Sequence, residues 1–391
     1  MTNIYHLSHT DLRIDWRIRK EMSIVYKLFG NSNFRIIGVG INDGEIYKKN
    51  FVEGFKIINI CIETPSVAKV HKVFAYIWNL SIYYKNVLRL FKSNSPRIVH
   101  IHDAPALPVA YLAKYIWGCS LIYDAHELAV NKNGQGIIFS LISRVIEKTC
   151  WSRIDHLVTV SKEIADWYIS EYGRKNVTLH HNVPITQSQI ININRNDNAF
   201  IPYRLKFDIP DTNKVFVYSG LFIQGRCIEL ILEVFKRIPE AHVVFMGFGN
   251  LTNLIDEYSL RFPNIHRHHH VPNEEVSKYI SGADFGLCLL ENISLSDYLA
   301  LPNKFFEYLF NNVPVLASNF PAMARVINVC KGGYVCNVDN ENITAAVKKL
   351  ISLVGHNGVD IVAIHEYSWI TQEKDLIKMY QELIIKNNKN L

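Results

Sequence analysis

The sequence predicts an α/β protein built from two doubly wound parallel sheets. Three observations carry that prediction. Short apolar runs alternate with amphipathic, helix-length segments along nearly the whole chain. The alternation falls into two blocks, separated by an Asn-rich stretch without periodicity from Gln187 to Ile201. The 391 residues, 49% of them apolar, suffice for two cores of ordinary domain size.

The first block opens with a strand at Ile4 to Leu7 and a charged amphipathic helix at Asp15 to Leu28. Strands follow at Phe34 to Val39 and Lys56 to Ile60, then a long helix at Val67 to Phe91. Strand and helix alternate through Arg97 to Ile101, Ala104 to Trp117, Leu121 to Asp124 and Ile138 to Trp151. His156 to Val160, Lys162 to Tyr172 and Val177 to His181 close the block. The second block takes strands at Val215 to Ser219, Val243 to Met246, Ile265, Phe285 to Leu289, Val313 to Ala317 and Gly333 to Cys336. Its helices are Ile228 to Arg237, Leu251 to Phe262, Glu274 to Ile280, one starting at Pro302, Ala322 to Ile327, Ile343 to Leu353 and Trp369 to Ile385.

Net charge is +6 and the pI about 8.8, which suits anionic substrates or a membrane surface but is too weak to argue for nucleic acid. The seven cysteines form no CxxC and sit mostly in apolar runs, as reduced core residues of a cytoplasmic protein do. No h-region and no bilayer-length apolar run are present, so neither a signal peptide nor a membrane span is expected.

Ligands of open parallel sheets bind beyond the carboxyl ends of the strands, and two such sheets offer a cleft between them. That rule picks out Asp124, His126 and Glu127, where a histidine can donate to, or exchange a proton with, a sugar hydroxyl. The same three residues could instead cap a helix or pair internally. It also picks out Gly220 with Arg226, an arginine placed to clamp a diphosphate. Gly247 and Gly249 follow a strand and would let a flat group approach the backbone. At Leu301 to Ser318, Pro302 begins a helix on which Lys304 and Glu307 share one face. The helix amides and the lysine suit a phosphate, and the carboxylate suits a ribose diol. A surface salt bridge is the plainer reading of that pair. His266 and His268 to His270 lie on a predicted strand whose neighbours face opposite ways, so no metal site is expected there. There is no Asp-x-Asp pair to anchor a diphosphate-bound cation. Val67 to Arg97 carries Lys69, Lys72, Lys85, Arg89, Lys92 and Arg97 without an acidic residue. Its stripe of Val70, Phe74, Ile77, Tyr84, Leu88 and Phe91 fits a core helix with a basic face, or a helix lying on an anionic membrane.

The order of these segments resembles the GT-B-fold glycosyltransferases, in particular the retaining, nucleotide-sugar-dependent family four (glycosyl transferases group 1). The resemblance rests on Asp15-Trp-Arg-Ile-Arg-Lys-Glu21, Ile122-Tyr-Asp-Ala-His-Glu127, Thr159-Val-Ser161 and His181-Asn-Val-Pro184. It continues through Tyr218-Ser-Gly220 with Arg226, Phe245-Met-Gly-Phe-Gly249, Gly282-Ala-Asp284, Pro302 to Glu307 with Val313-Pro-Val315, and Tyr367-Ser-Trp369 with Tyr380. It implies an acceptor-side domain over residues 1–186, a linker over 187–203, a nucleotide-sugar domain over 204–366, and a closing helix over 367–391 that returns to the first domain. Glu307 would bind the ribose, Arg226 and Lys304 the diphosphate, Gly247 and Gly249 the base, and His126 the reacting sugar.

The expected reaction is sugar transfer from a nucleotide diphosphate sugar to an acceptor hydroxyl, with retention, in bacterial surface polysaccharide or glycolipid assembly. The expected partners are a nucleotide-sugar donor, a saccharide or lipid-linked saccharide acceptor, and peripheral contact with the inner membrane face, without metal or other cofactor. A nucleotide-sugar epimerase of the same fold, or a non-catalytic partner subunit, is the alternative. The family pattern is broken at three places. Leu299 stands where many members carry a first glutamate, with Glu291 and Asp297 as the nearby carboxylates; Cys227 replaces a glycine after the phosphate arginine; Ser8-His-Thr10 replaces a glycine-rich turn.

Overall fold

The computed structural model describes residues 2–30, 33–42, 50–52, 54–62, 72–184, 203–353 and 358–388. The chain divides into two compact units, residues 1–180 with 373–391, and residues 181–372. The expected linker lies outside the described residues apart from Tyr203, which opens the short helix Tyr203–Lys206.

The first unit holds β1 (Thr2–Leu7), β2 (Phe34–Asn42), β3 (Asn50–Val52), β4 (Phe55–Cys61), β5 (Pro96–Ile101), β6 (Ser120–Ala125), β7 (His156–Thr159) and β8 (Asn176–Leu179). Their order is β3-β4-β2-β1-β5-β6-β7-β8. All neighbours pair in parallel except β3, an antiparallel edge strand on β4. The second unit holds β9 (Lys214–Leu221), β10 (Ala241–Phe248), β11 (Ile265–His268), β12 (Phe285–Cys288), β13 (Val315–Ser318) and β14 (Gly333–Cys336). Its order is β11-β10-β9-β12-β13-β14, all parallel. The doubly wound, parallel fold class expected from the alternation is therefore present in both units. In each sheet the winding direction reverses once, between β1 and β5 in the first and between β9 and β12 in the second. Crevices for ligands open beyond the strand ends at such reversals.

Helices cover both faces of these sheets, so the central strands are apolar along their length and not alternating. All six residues of β6 are buried. A polar residue in such a strand must find a partner inside the protein. His6, His100 and Asp124 are buried strand residues of this kind.

Several elements differ from the sequence reading. The helix Trp16–Phe29 is capped by Asp15, whose side chain accepts from the Ile18 amide. Its charges do not all face water: Arg17, Lys20 and Glu21 are buried. The basic helix is described as Lys72–Ser93, and residues 67–71, including Lys69 and Val70, lie outside the described residues. Its buried stripe is Leu80, Tyr83, Val87 and Phe91, while Phe74, Ile77 and Trp78 are exposed. The predicted stripe was wrong because the aromatics are spread round the helix, so more than one face satisfies the 3.6-residue period. Pro302 is the residue before the helix and not its first turn, with ψ 150°, and the helix itself is Asn303–Phe310. Gly247 lies inside β10 and not after it. The helices Leu295–Tyr298 and Ile361–His365 were missed, because four or five residues carry too little periodicity to register. Among the described residues, no helix is long and apolar enough to cross a membrane.

Candidate functional site

In the first unit, the carboxyl ends of β1, β5 and β6 deliver a connected set of ionisable groups. Arg17, in the first turn of its helix, places Nη2 2.5 Å from Asp124 Oδ2 and 3.0 Å from His126 Nδ1. His102, just after β5, donates through Nδ1 to Asp124 Oδ2 at 3.0 Å. Its Nε2 must then accept, and His6 Nδ1 lies 3.0 Å away to donate. His6 Nε2 is left to accept from the Tyr380 hydroxyl at 3.3 Å, and that hydroxyl accepts from His100 Nδ1 at 2.7 Å. One consistent set of proton positions thus runs from Arg17 through two buried histidines to the last helix, Trp369–Asn388.

Burial holds His6 down to about 3 and His102 and His100 well below the ordinary imidazole range. Burial likewise raises Glu21 far above a normal carboxyl, with Asp124 adding to it, which favours its neutral form. Glu21 Oε2 lies 3.8 Å from His100 Nε2 and Oε1 lies 3.2 Å from His180 Nδ1. Ligand-type atoms of His6, Glu21, His100 and His102 fall within 4.8 Å of one another. His6 and His102 are bonded to each other, His102 to Asp124, and His6 and His100 to Tyr380, so these rings read as a hydrogen-bond network, while His100 Nε2 and the Glu21 oxygens have no hydrogen-bond partner.

His126 keeps 30% of its side chain open, and its Nε2 stands 3.9 Å from Glu127 Oε1. Glu127 is turned to Lys132 Nζ at 2.5 Å. Asp124 and His126 are therefore brought together through Arg17, whereas Glu127 belongs to a neighbouring ion pair. Beyond the β1 end, Asp103 accepts from the Ser8 hydroxyl at 2.6 Å and the His9 amide at 3.0 Å, which ties down the turn that replaces a glycine-rich one.

In the second unit, the helix Asn303–Phe310 sits between β12 and β13 in the chain and packs on both strands. Phe305, Phe306, Leu309 and Phe310 fix it in the core. Tyr308 adds a polar tie, its hydroxyl accepting from the Ser219 amide at 2.8 Å. This packing sets Lys304 Nζ over the ring of Tyr218, 3.6 Å from its centroid. Parts of Lys304 and Glu307 reach the surface, but the ammonium is enclosed and has no hydrogen-bond partner. Burial lowers Lys304 to about 8 and raises Glu307 to about 7.

Arg226 Nη1 faces Asp297 Oδ1 at a long 3.4 Å. Asp297 is held by Ser294, whose hydroxyl lies 2.7 Å from Oδ2. Of the two carboxylates near Leu299, Asp297 thus belongs to the arginine. Glu291 lines a shallow depression with Asn292, Asn319, Phe320 and Asn337, at the carboxyl ends of β12, β13 and β14. Leu299 is itself buried.

Gly220, expected to follow the strand, is the last but one residue of β9, with φ 132°. A Cβ on Gly247 would stand 1.9 Å from the Gly220 carbonyl oxygen, and one on Gly249 would stand 2.2 Å from that of Phe222. What approaches these two glycines is the chain's own backbone, a role the sequence reading gave to a ligand. Cys227 adopts the left-handed conformation, φ 56°, which accounts for the family glycine at that place. His266 stacks on His242 and shares a hydrogen bond with it at 2.9 Å, and His268 Nε2 meets Lys206 Nζ at 2.6 Å. Neither ring is aimed at a common centre with the other. Arg17, His6 and His102 are the polar residues missed, and the signal for Arg17 was its place in the Asp15 to Glu21 segment.

Residues 64–182 match the family model described as "Glycosyl transferase 4-like domain", and residues 213–353 match "Glycosyl transferases group 1". Two similar proteins are chitobiosyldiphosphodolichol beta-mannosyltransferases. The one from Candida glabrata is 21% identical over 63% of this chain and 61% of its own length. The one from Candida albicans is 23% identical over 74% of this chain and 65% of its own. The chain thus spans less than two thirds of each relative. Among solved structures, a sucrose-phosphate synthase from Thermosynechococcus elongatus superposes with TM-score 0.75 at 13% identity, covering 99% of this chain and 100% of that one. Anabaena HepE with UDP-glucose gives 0.67 at 10% identity, covering 98% and 100%. The lipopolysaccharide outer core galactosyltransferase WaaB gives 0.66 at 15%, covering 99% of each. At these identities the likeness is one of fold.

Proposed function

This chain belongs to the GT-B-fold glycosyltransferases of the group 1, family-four type, and from that membership we propose that it moves a sugar from a nucleotide diphosphate sugar to an acceptor hydroxyl. The observation that carries the reading is the enclosed, unbonded Lys304 ammonium beside the loosely held Arg226. Two cations with unmet bonding capacity suit a diphosphate, and the amides that open the Asn303–Phe310 helix add to them. Glu307, one turn along, would accept from the ribose. In the transfer the anomeric carbon leaves the phosphate oxygen and bonds to the acceptor oxygen, whose proton passes to the departing diphosphate. The developing diphosphate charge would be met by Arg226 and Lys304, with no metal taking part. Retention of the anomeric configuration is the reading the family resemblance favours.

The acceptor we propose is a lipid-linked saccharide of a bacterial surface polysaccharide or glycolipid. The named relatives act on a dolichol-linked saccharide, and the helix Lys72–Ser93 exposes Phe74, Ile77 and Trp78 while carrying Lys85, Arg89 and Lys92. Apolar and cationic side chains together support peripheral contact with an anionic membrane, which would be the inner, cytoplasmic face.

The test is a thermal-shift screen of the purified chain against nucleoside diphosphates, wild type beside Glu307→Ala. A rise in Tm with one nucleotide, lost in the variant, supports the site and chooses the donor series for transfer assays. No rise with any nucleotide at millimolar concentration would remove the donor site from this helix.

A further inference from the structure

We infer that Arg17 is a positioning residue for sugar transfer: it fixes His126 as the Nε2–H tautomer, so that this imidazole acts as a hydrogen-bond donor and not as a proton acceptor. The inference deepens the proposed function and rests on it in one respect, that His126 meets the reacting sugar.

The geometry is unusual for a histidine beside a carboxylate. Where a carboxylate accepts a hydrogen bond from Nδ1–H directly, Nε2 is left as an acceptor and the ring is poised as a base. Here a guanidinium stands between the two. Arg17 Nη2 donates both to Asp124 Oδ2 at 2.5 Å and to His126 Nδ1 at 3.0 Å. Arginine has donors only and stays charged, so Nδ1 must accept. The single proton of the neutral ring is then on Nε2, which lies on the side-chain portion still open to solvent and out of hydrogen-bond reach of Glu127 at 3.9 Å. The interposed cation reverses the polarity of the ring.

The groups facing His126 agree with this assignment. They are Arg17 from the helix Trp16–Phe29, Asp124 from β6, His102 from beyond β5, and Glu127 and Lys132 from its own loop. Burial, and then the Arg17 cation, hold the ring neutral to well below pH 6.5, while Asp124 pulls the other way. Asp124 Oδ2 is shared between Arg17 and His102 Nδ1, and the group at hydrogen-bond distance from His126 Nδ1 is Arg17. Those two contacts orient the arginine, whose side chain is 10% exposed. A sugar or phosphate oxygen, which accepts, is thus the complement of Nε2–H.

Two measurements decide the matter. The first needs no activity. Nitrogen-15-labelled histidine in the wild-type chain, with His126 assigned by its loss in His126→Gln, is expected to show a protonated Nε2 and a bare Nδ1, unchanged between pH about 5.5 and 8. An Nδ1–H tautomer, or protonation near pH 6.5, would overturn the inference.

The second is the pH dependence of transfer in Arg17→Met. Without the cation, the ring is expected to turn to the Nδ1–H tautomer, donating to Asp124 and leaving Nε2 bare, so activity at pH 8 falls by about 10²–10³, the usual effect of losing one positioned donor. Removing the Arg17 cation raises the point at which the ring protonates, so on acidification the ring becomes doubly protonated at a higher pH than in the wild type, Nε2–H returns, and activity should recover by at least about tenfold. A purely structural role for Arg17 gives a loss with no recovery on acidification.

Should Arg17→Met fail to fold, the side-chain amides at position 126 serve instead. His126→Gln puts an N–H near the Nε2 position and should keep more activity than His126→Asn, whose N–H falls near Nδ1. The reverse ranking refutes the donor role. A wild-type chain that transfers no sugar from any donor would defeat the proposed function, while the nitrogen-15 spectrum would still settle the tautomer.

Discussion

The two units each bury charged groups near the carboxyl ends of their strands, yet they treat them in opposite ways. In the first unit the buried groups are joined to one another, although both Glu21 oxygens, His100 Nε2, Arg17 Nη1 and Asp124 Oδ1 are left without a hydrogen-bond partner. Arg17 has Asp124 and His126, His102 has Asp124 and His6, and Tyr380 joins His6 to His100. In the second, the Lys304 ammonium has only the face of Tyr218, and Arg226 reaches Asp297 at 3.4 Å. A closed network costs little to keep and fixes the orientation of its members. An enclosed cation without a hydrogen-bond partner is costly in the free protein and gains most when an anion arrives. The contrast is the ground for proposing positioning for the first cluster and ligand capture for the second.

The largest expected effect comes from breaking the closed side. Asp124→Ala leaves Arg17 as a buried charge without its carboxylate, and breaking such a pair costs about 3–5 kcal/mol. Chemical denaturation of the full chain, followed by a probe in the first unit, should show a loss of that size. A change under about 1 kcal/mol would mean that the network is not closed in solution. A smaller effect is expected for Gly247→Ala in the second unit, where the new Cβ meets the Gly220 carbonyl oxygen. Overpacking of this kind costs about 1–3 kcal/mol. Since the crowding is by the chain's own backbone, the folded variant should still bind nucleotide. Lost binding with unchanged stability would return Gly247 to the ligand.

The fold was legible because helices cover both faces of each sheet, which makes β5, β6, β9 and β10 into plain apolar runs between turn signals. The placement of Lys304 and Glu307 on one helix three residues apart was legible too, although the two form no ion pair. The network of the first unit was not. Arg17 and His126 are 109 residues apart, and His100 and Tyr380 are 280 apart. No local pattern encodes such contacts. The buried Arg17, Lys20 and Glu21 read as a solvent face because periodicity cannot tell a charge with a distant partner from one in water. The three-residue β3 is too short for any alternation to show.

The smallest effect sharpens the open side, because its sign is opposite to that of Asp124→Ala. Lys304→Met removes an enclosed charge without orphaning a bonded partner, so stability of the free protein should be unchanged or rise by up to about 1–2 kcal/mol. The pH dependence follows from the two groups. Glu307 is raised to about 7, so between its unfolded value of 4.5 and 7 the native state holds more protons, and stability falls as pH rises through that window. Lys304 is lowered to about 8, so between 8 and 10.5 the unfolded state holds more protons, and stability rises with pH there. Nucleotide binding should run the other way. A diphosphate selects the protonated lysine, so affinity falls above pH about 8, by up to about tenfold per pH unit. Calorimetric titration of a nucleoside diphosphate at pH 7, 8 and 9 reads this slope directly, with proton uptake on binding at the highest pH. In Lys304→Met the affinity should be lower throughout and the slope above pH 8 absent. A slope that persists in the variant would place the titrating cation elsewhere and leave Lys304 as an ordinary core residue.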